Sequence, residues 1–112
     1  MKKMKSESLE DWEYEISASY KADKHNLVII LLDEYMEGLG FYKNLKEFCL
    51  EKKGIPTQFI MTKSVGSKNS MSIVSNILLQ ANSKIGGNSY SVAIPAELSK
   101  QNLMIIGVDS ST

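Results

Sequence analysis

The feature that most constrains this chain is the run at residues 27–32, Leu-Val-Ile-Ile-Leu-Leu, which is continuous in hydrophobicity and shows no alternation. A strand with one wet face alternates, so an unbroken aliphatic run predicts a strand buried on both faces of a parallel sheet. Parallel neighbours are joined by a crossover, usually a helix. The chain supplies one directly afterwards. Phe41, Leu45, Phe48 and Cys49 recur at helical spacing, Lys43, Glu47, Glu51 and Lys52 take the opposite side, and Gly54 with Pro56 stops the helix. Between strand and helix, the glycines and acids of residues 33–40 read as a loop.

The unit then recurs. Residues 57–62 read as a second short strand and residues 63–68 as a loop bearing Ser and Gly. Met71, Val74, Ile77, Leu78, Ala81 and Ile85 form the apolar face of a second helix, capped at its start by Asn69 or Ser70 and closed by Gly86-Gly87. Residues 90–94 are a candidate third strand broken by Pro95, and residues 103–108 are a further wholly apolar strand leading to Asp109. Strands alternating with helices predict an α/β fold, an open parallel sheet with flanking helices. Residues 1–24 are polar and charged, with Trp12, Tyr14, Ile16 and Tyr20 at irregular intervals, and read as an arm docked in part through its aromatics.

Length and charge bound the function. The 112 residues fit one domain, and 13 Lys+Arg against 13 Asp+Glu leave a formal net charge of +0, which gives no whole-molecule field for a polyanion. The lone Cys49 cannot form an internal disulfide and reads as a small buried hydrophobe. The lysines near the N-terminus run into acids with no apolar stretch, so they are not a secretory signal, and residues 27–32 are too short to span a bilayer. The expectation is a soluble chain of the cytoplasm or nucleus with no membrane partner.

Locally the charge is lopsided. Across residues 57–90 the only charged side chains are Lys63, Lys68 and Lys84, and the chain has no Arg, so bidentate gripping of an anion is not available. Two helical pairs suit an anion all the same: Tyr42 with Lys46, and Gln80 with Lys84, each four apart and hence on one helix face. A phosphate monoester, doubly charged and rich in acceptors, is a chemically sensible ligand for a phenol, an amide and two ammonium groups. The same spacing is also what a solvated amphipathic face shows. His25 has no metal-ligand neighbours and reads as a surface residue, and residues 64–70 lack the glycine pattern of a phosphate loop.

Four elements in order carry a resemblance. Phe41-Tyr42-Lys43-Asn44-Leu45-Lys46, then Thr57-Gln58-Phe59, then Gln80-Ala81-Asn82-Ser83-Lys84-Ile85-Gly86-Gly87, then Gly107-Val108-Asp109 resemble the MID domain of Argonaute proteins and its junction with the PIWI domain. Gln80, where the Argonaute branch usually has Lys, makes the chain look more like the Piwi branch. The resemblance implies a Rossmann-like sheet and three parts: a polar arm at 1–24, a MID-like domain at 25–101, and the first strand of an RNase-H-like PIWI domain at 102–112. It further implies that Tyr42, Lys46, Gln58 and Lys84 hold the 5′-phosphate of a small guide RNA, with Gln80 and Asn82 as additional ligands. Residues 33–40 would contact the first base, and Gln80 would lie near a magnesium ion bridging guide phosphates, although no cofactor is required.

Departures from the family pattern limit what is expected. Asp109 matches the first PIWI catalytic carboxylate, but the remaining metal ligands are not in this chain, and Thr112 stands where a His commonly follows. A single carboxylate cannot hold two metal ions, so the expectation is anchoring without RNA cutting, with the rest of a PIWI domain as a partner if the chain is a fragment. The alternative is a flavodoxin-like α/β module that binds a mononucleotide or a protein partner.

Overall fold

A computed structural model describes residues 2–5 and 7–110. In chain order the elements are α1 (Leu9–Ser19), β1 (Val28–Leu32), α2 (Glu34–Gly38), α3 (Phe41–Glu47) running into a π-helical turn (Phe48–Lys53), β2 (Thr57–Met61), α4 (Thr62–Val65), α5 (Ser70–Lys84) and α6 (Ala96–Ser99). β1 and β2 pair in parallel, Val28 opposite Thr57 through Leu32 opposite Met61. This is an α/β fold, a parallel sheet with flanking helices.

The crossover packs its apolar stripe against the sheet. Ile30, Leu32, Phe41, Leu45, Cys49 and Ile55 form one core with Ile16 of α1. The π turn ends in a left-handed Gly54 (φ +64°), and the Cys49 carbonyl accepts from the backbone N–H of both Gly54 and Ile55, which reverses the chain into β2. Burial pushes the Cys49 thiol pKa up, aided by Glu13 and opposed by Lys46, so the thiol stays protonated and packs as a hydrophobe.

Several expectations are corrected. The N-terminal arm is helical over Leu9–Ser19: Leu9, Trp12, Ile16 and Tyr20 lie on one helix face against the core, and Trp12 meets the Phe41 ring edge-on at 5.7 Å. Exposed Tyr14, on the outer face, is what obscures that period in the sequence. Residues 33–40 are not a plain loop, because the Asp33 carboxylate accepts from the Met36 N–H at 2.8 Å and caps α2, whose first turn is acidic. Residues 62–65 likewise form a helical turn. β1 is covered on one face only: Ile30 and Leu32 are buried, while Ile29 is 58% and Leu31 44% exposed. A two-stranded sheet with its crossover on one side leaves the other face open.

The C-terminal third also departs from expectation. Residues 90–94 and 103–108 form no strand, since neither finds a backbone ladder among the described residues, and the apolar side chains of 103–108 are exposed. The radius of gyration, 17.8 Å, exceeds the ~13 Å of a compact chain of this length, as an extended segment requires. α5 keeps its expected span and lies against β2, yet Met71, Leu78 and Ile85 of its apolar face remain exposed. Asn69 occupies the N-cap position of α5 without a capping bond from its side chain. Thr112 lies outside the described residues.

The packing predicts a graded response to truncation. Leu45→Ala, at a fully buried site, should cost about 2–5 kcal/mol, whereas Leu50→Ala on the exposed side of the same crossover should cost under about 1 kcal/mol. Urea unfolding of both variants checks this, and equal losses would place the core elsewhere.

Candidate anion-binding site

The crossover and α5 deliver their lysines to consecutive residues of β2. Lys46, in the last turn of α3, donates from Nζ to Thr57 Oγ1 at 3.3 Å, and Lys84, in the last turn of α5, donates from Nζ to Gln58 Oε1 at 2.7 Å. Gln58 Nε2 donates to Gln80 Oε1 at 3.1 Å and to the Phe59 carbonyl at 3.3 Å. The amide is therefore fixed, with its oxygen toward Lys84. Thr57 and Gln58 are 2% and 3% exposed, and among the described residues no buried side-chain polar atom lacks a partner.

Tyr42 joins through an aromatic intermediary. Its ring packs edge-on against Phe59 at 5.0 Å and 76°, and Lys46 Nζ sits 5.8 Å from the same Phe59 ring centroid. Tyr42 remains 48% exposed, so its phenol is held at the base and free at the tip. Of the expected residues, Tyr42, Lys46, Gln58, Gln80 and Lys84 thus lie in one continuous set of contacts. Asn82 is engaged elsewhere: Nδ2 donates to Ser89 Oγ at 3.3 Å. Asp109 is exposed, and no group of three or more His, Cys, Asp or Glu able to hold a metal exists among the described residues.

Two participants were missed by pattern reading. Thr57 and Phe59 flank Gln58 in a quoted motif, yet only the fold shows that they receive Lys46 and Tyr42. The available signal was their place on one short strand, where residues two apart share a face.

The electrostatics favour an anion. Desolvation lowers the Lys84 pKa from its ordinary value, and the Lys46 ammonium lowers it further. Among the described residues no carboxylate forms a salt bridge with either lysine. A like charge nearby disfavours the charged form of a partly desolvated ammonium, and an anion at the site would offset both effects. Both Gln58 amide protons are engaged, so charge-assisted donation to a ligand falls to the ammonium protons that Lys46 and Lys84 retain. Gln80, the expected neighbour of a magnesium ion bridging guide phosphates, accepts at Oε1 from Gln58.

The lowered Lys84 pKa has a definite linkage. Between its folded value and the unfolded value, ~10.4, the unfolded chain binds more protons, so this group makes stability rise with pH through that window. Lys46→Met should move the Lys84 titration midpoint upward, read from the lysine ε-methylene NMR shifts, and flatten that rise. An unmoved midpoint would place the two ammonium groups beyond each other's reach.

Comparisons with known proteins come from the same region. The Piwi domain family model matches residues 27–112. The chain is 34% identical over 68 residues to the Piwi-like protein Siwi of Bombyx mori, covering 61% of this chain and 7% of that protein. Protein argonaute-3 of Drosophila melanogaster is 37% identical over 70 residues, 62% of this chain and 8% of that protein. Protein argonaute-2 of the same fly is 30% identical over 95 residues, 84% of this chain and 8% of that protein. The chain therefore spans less than a tenth of the length of these relatives. No solved structure matches it significantly.

Proposed function

The chain belongs to the Piwi domain family, and from that premise we propose that it anchors the 5′-phosphorylated end of a small guide RNA in RNA-mediated silencing. In this reading residues 25–101 are the MID-like part and residues 102–112 the first strand of a PIWI domain. What supports it most is one observation: two lysines, on helices far apart in sequence, hydrogen-bond the neighbouring β2 residues Thr57 and Gln58, and among the described residues neither forms a salt bridge with a carboxylate.

The division of labour follows from the contacts. Lys46 and Lys84 offset the charge of a terminal phosphate, which carries about −1.5 to −2 near neutrality. Gln58 serves as the strut that aims Lys84, and Gln80 holds that strut. Tyr42, braced on Phe59 and half-exposed, offers a ring on which the first base stacks, with α2 and its flanks bordering the base. The chemistry proposed for this site is anchoring, with the rest of a PIWI domain as its proposed partner. Among the described residues no helix is long and apolar enough to cross a membrane, and the proposed place of work is the cytoplasm or nucleus.

Affinity for the terminus should reside in the lysines. A charge-assisted hydrogen bond contributes ~1.5–3 kcal/mol, so Lys46→Ala and Lys84→Ala should each weaken binding of a 5′-phosphorylated RNA by about tenfold or more, and leave the 5′-hydroxyl RNA nearly unchanged. Fluorescence anisotropy with the two RNAs measures this. Equal affinity of the native chain for both ends would sink the anchor reading, and preference for a free mononucleotide over either RNA would favour a flavodoxin-like module.

A further inference from the structure

The end of α5 is closed by a motif that uses two of its residues unusually. Gly86 is left-handed (φ +89°); its N–H donates to the Ser83 carbonyl at 3.1 Å, and the Gly87 N–H donates to the Asn82 carbonyl at 2.8 Å. This is the doubled bond pattern of a Schellman cap, in which the residue after the left-handed glycine usually packs an apolar side chain against the helix. Here that position is Gly87, and the Asn82 carboxamide fills the space instead. A Cβ at Gly87 would fall against Asn82 Oδ1 and lie 2.7 Å from Asn82 Cγ. Swinging the amide away breaks the bond from Nδ2 to Ser89 Oγ, 3.3 Å, whose hydroxyl in turn donates to the Leu79 carbonyl at 3.0 Å. A chain of bonds thus folds the segment after α5 back along the helix, whose last residue is Lys84.

We propose that Asn82, Gly87 and Ser89 form a clamp that positions Lys84 against Gln58, acting through the helix end and not by touching a ligand. The meaning of the clamp for RNA rests on the proposed anchoring function; its effect on Lys84 does not. Because Asn82 is two residues before Lys84 and Gly87 three after it, loosening the clamp lets the last turn fray and carries the ammonium away from Gln58 Oε1 and from Lys46. Asn82 thereby changes role from expected phosphate ligand to positioning residue.

The test needs no RNA for its first readout. Gly87→Ala should raise the Lys84 titration midpoint toward the ordinary lysine value, followed by NMR of the lysine ε-methylenes in the full chain, and Asn82→Ala, which opens the clamp without adding an atom, should raise it by less. Combining the two should be no worse than Asn82→Ala alone, since the added methyl then meets no amide. Should Gly87→Ala not fold by circular dichroism, Ser89→Ala opens the same chain of bonds without adding an atom and should move the midpoint in the same direction. An unmoved Lys84 midpoint in the folded variants overturns the clamp. The second readout is the preference for 5′-phosphorylated over 5′-hydroxyl RNA, expected to fall several-fold in Gly87→Ala. A shifted midpoint with no preference in the native chain upholds the clamp and sinks the anchor instead.

Discussion

Everything in this structure depends on the parallel pairing of β1 with β2. Antiparallel strands can be joined by a turn of two residues, but parallel ones need the chain to return along the sheet, and a helix is the shortest element that satisfies its own backbone while doing so. That return is α3 with its π turn. It supplies Phe41, Leu45 and Cys49 to the core, and by the same placement carries Lys46 to Thr57 at the start of β2. The register Val28–Thr57 therefore decides both how the core closes and where one lysine of the site ends.

The site shows how a neutral chain can present a local cation. A formal charge of +0 averages over the whole chain, in which α1 alone carries Glu10, Asp11, Glu13 and Glu15, while residues 57–90 contain no acid at all. Lys46 bonds the Thr57 hydroxyl and lies near the Phe59 ring, and Lys84 bonds the Gln58 amide. The buried Gln58 is the pivot, because its single amide accepts from one lysine and donates to Gln80 and to the backbone. Removing water around such a set strengthens each interaction and raises the cost of leaving the charges uncompensated.

Pattern reading succeeded where one period dominated and failed where two causes competed. The 27–32 run, the crossover stripe and the Gly86-Gly87 stop were plain, and α1 was not, because Tyr14 faces solvent and breaks the apolar spacing that Leu9, Trp12, Ile16 and Tyr20 keep. Residues 33–40 had loop composition, yet one capping bond from Asp33 converts part of them to helix. Residues 103–108 had the composition of a strand, which is a pattern a chain can carry without any ladder to join. Membership of the Piwi domain family was legible in the four short motifs, whose spacing survives in order along the chain.

By itself the sequence determined the residue types of the site and their helical spacing, because Tyr42 with Lys46 and Gln80 with Lys84 are local relations that a helix enforces. It also determined the cap, since only glycine accepts the backbone of residue 86 without strain. Tertiary structure alone decided that Lys46 reaches Thr57 and Lys84 reaches Gln58, that Tyr42 packs on Phe59, and that Asn82 donates to Ser89. These are relations between residues up to 26 positions apart. Their distance is set by strand pairing and helix packing, which bring separate segments together through burial, and no local period along the chain encodes it.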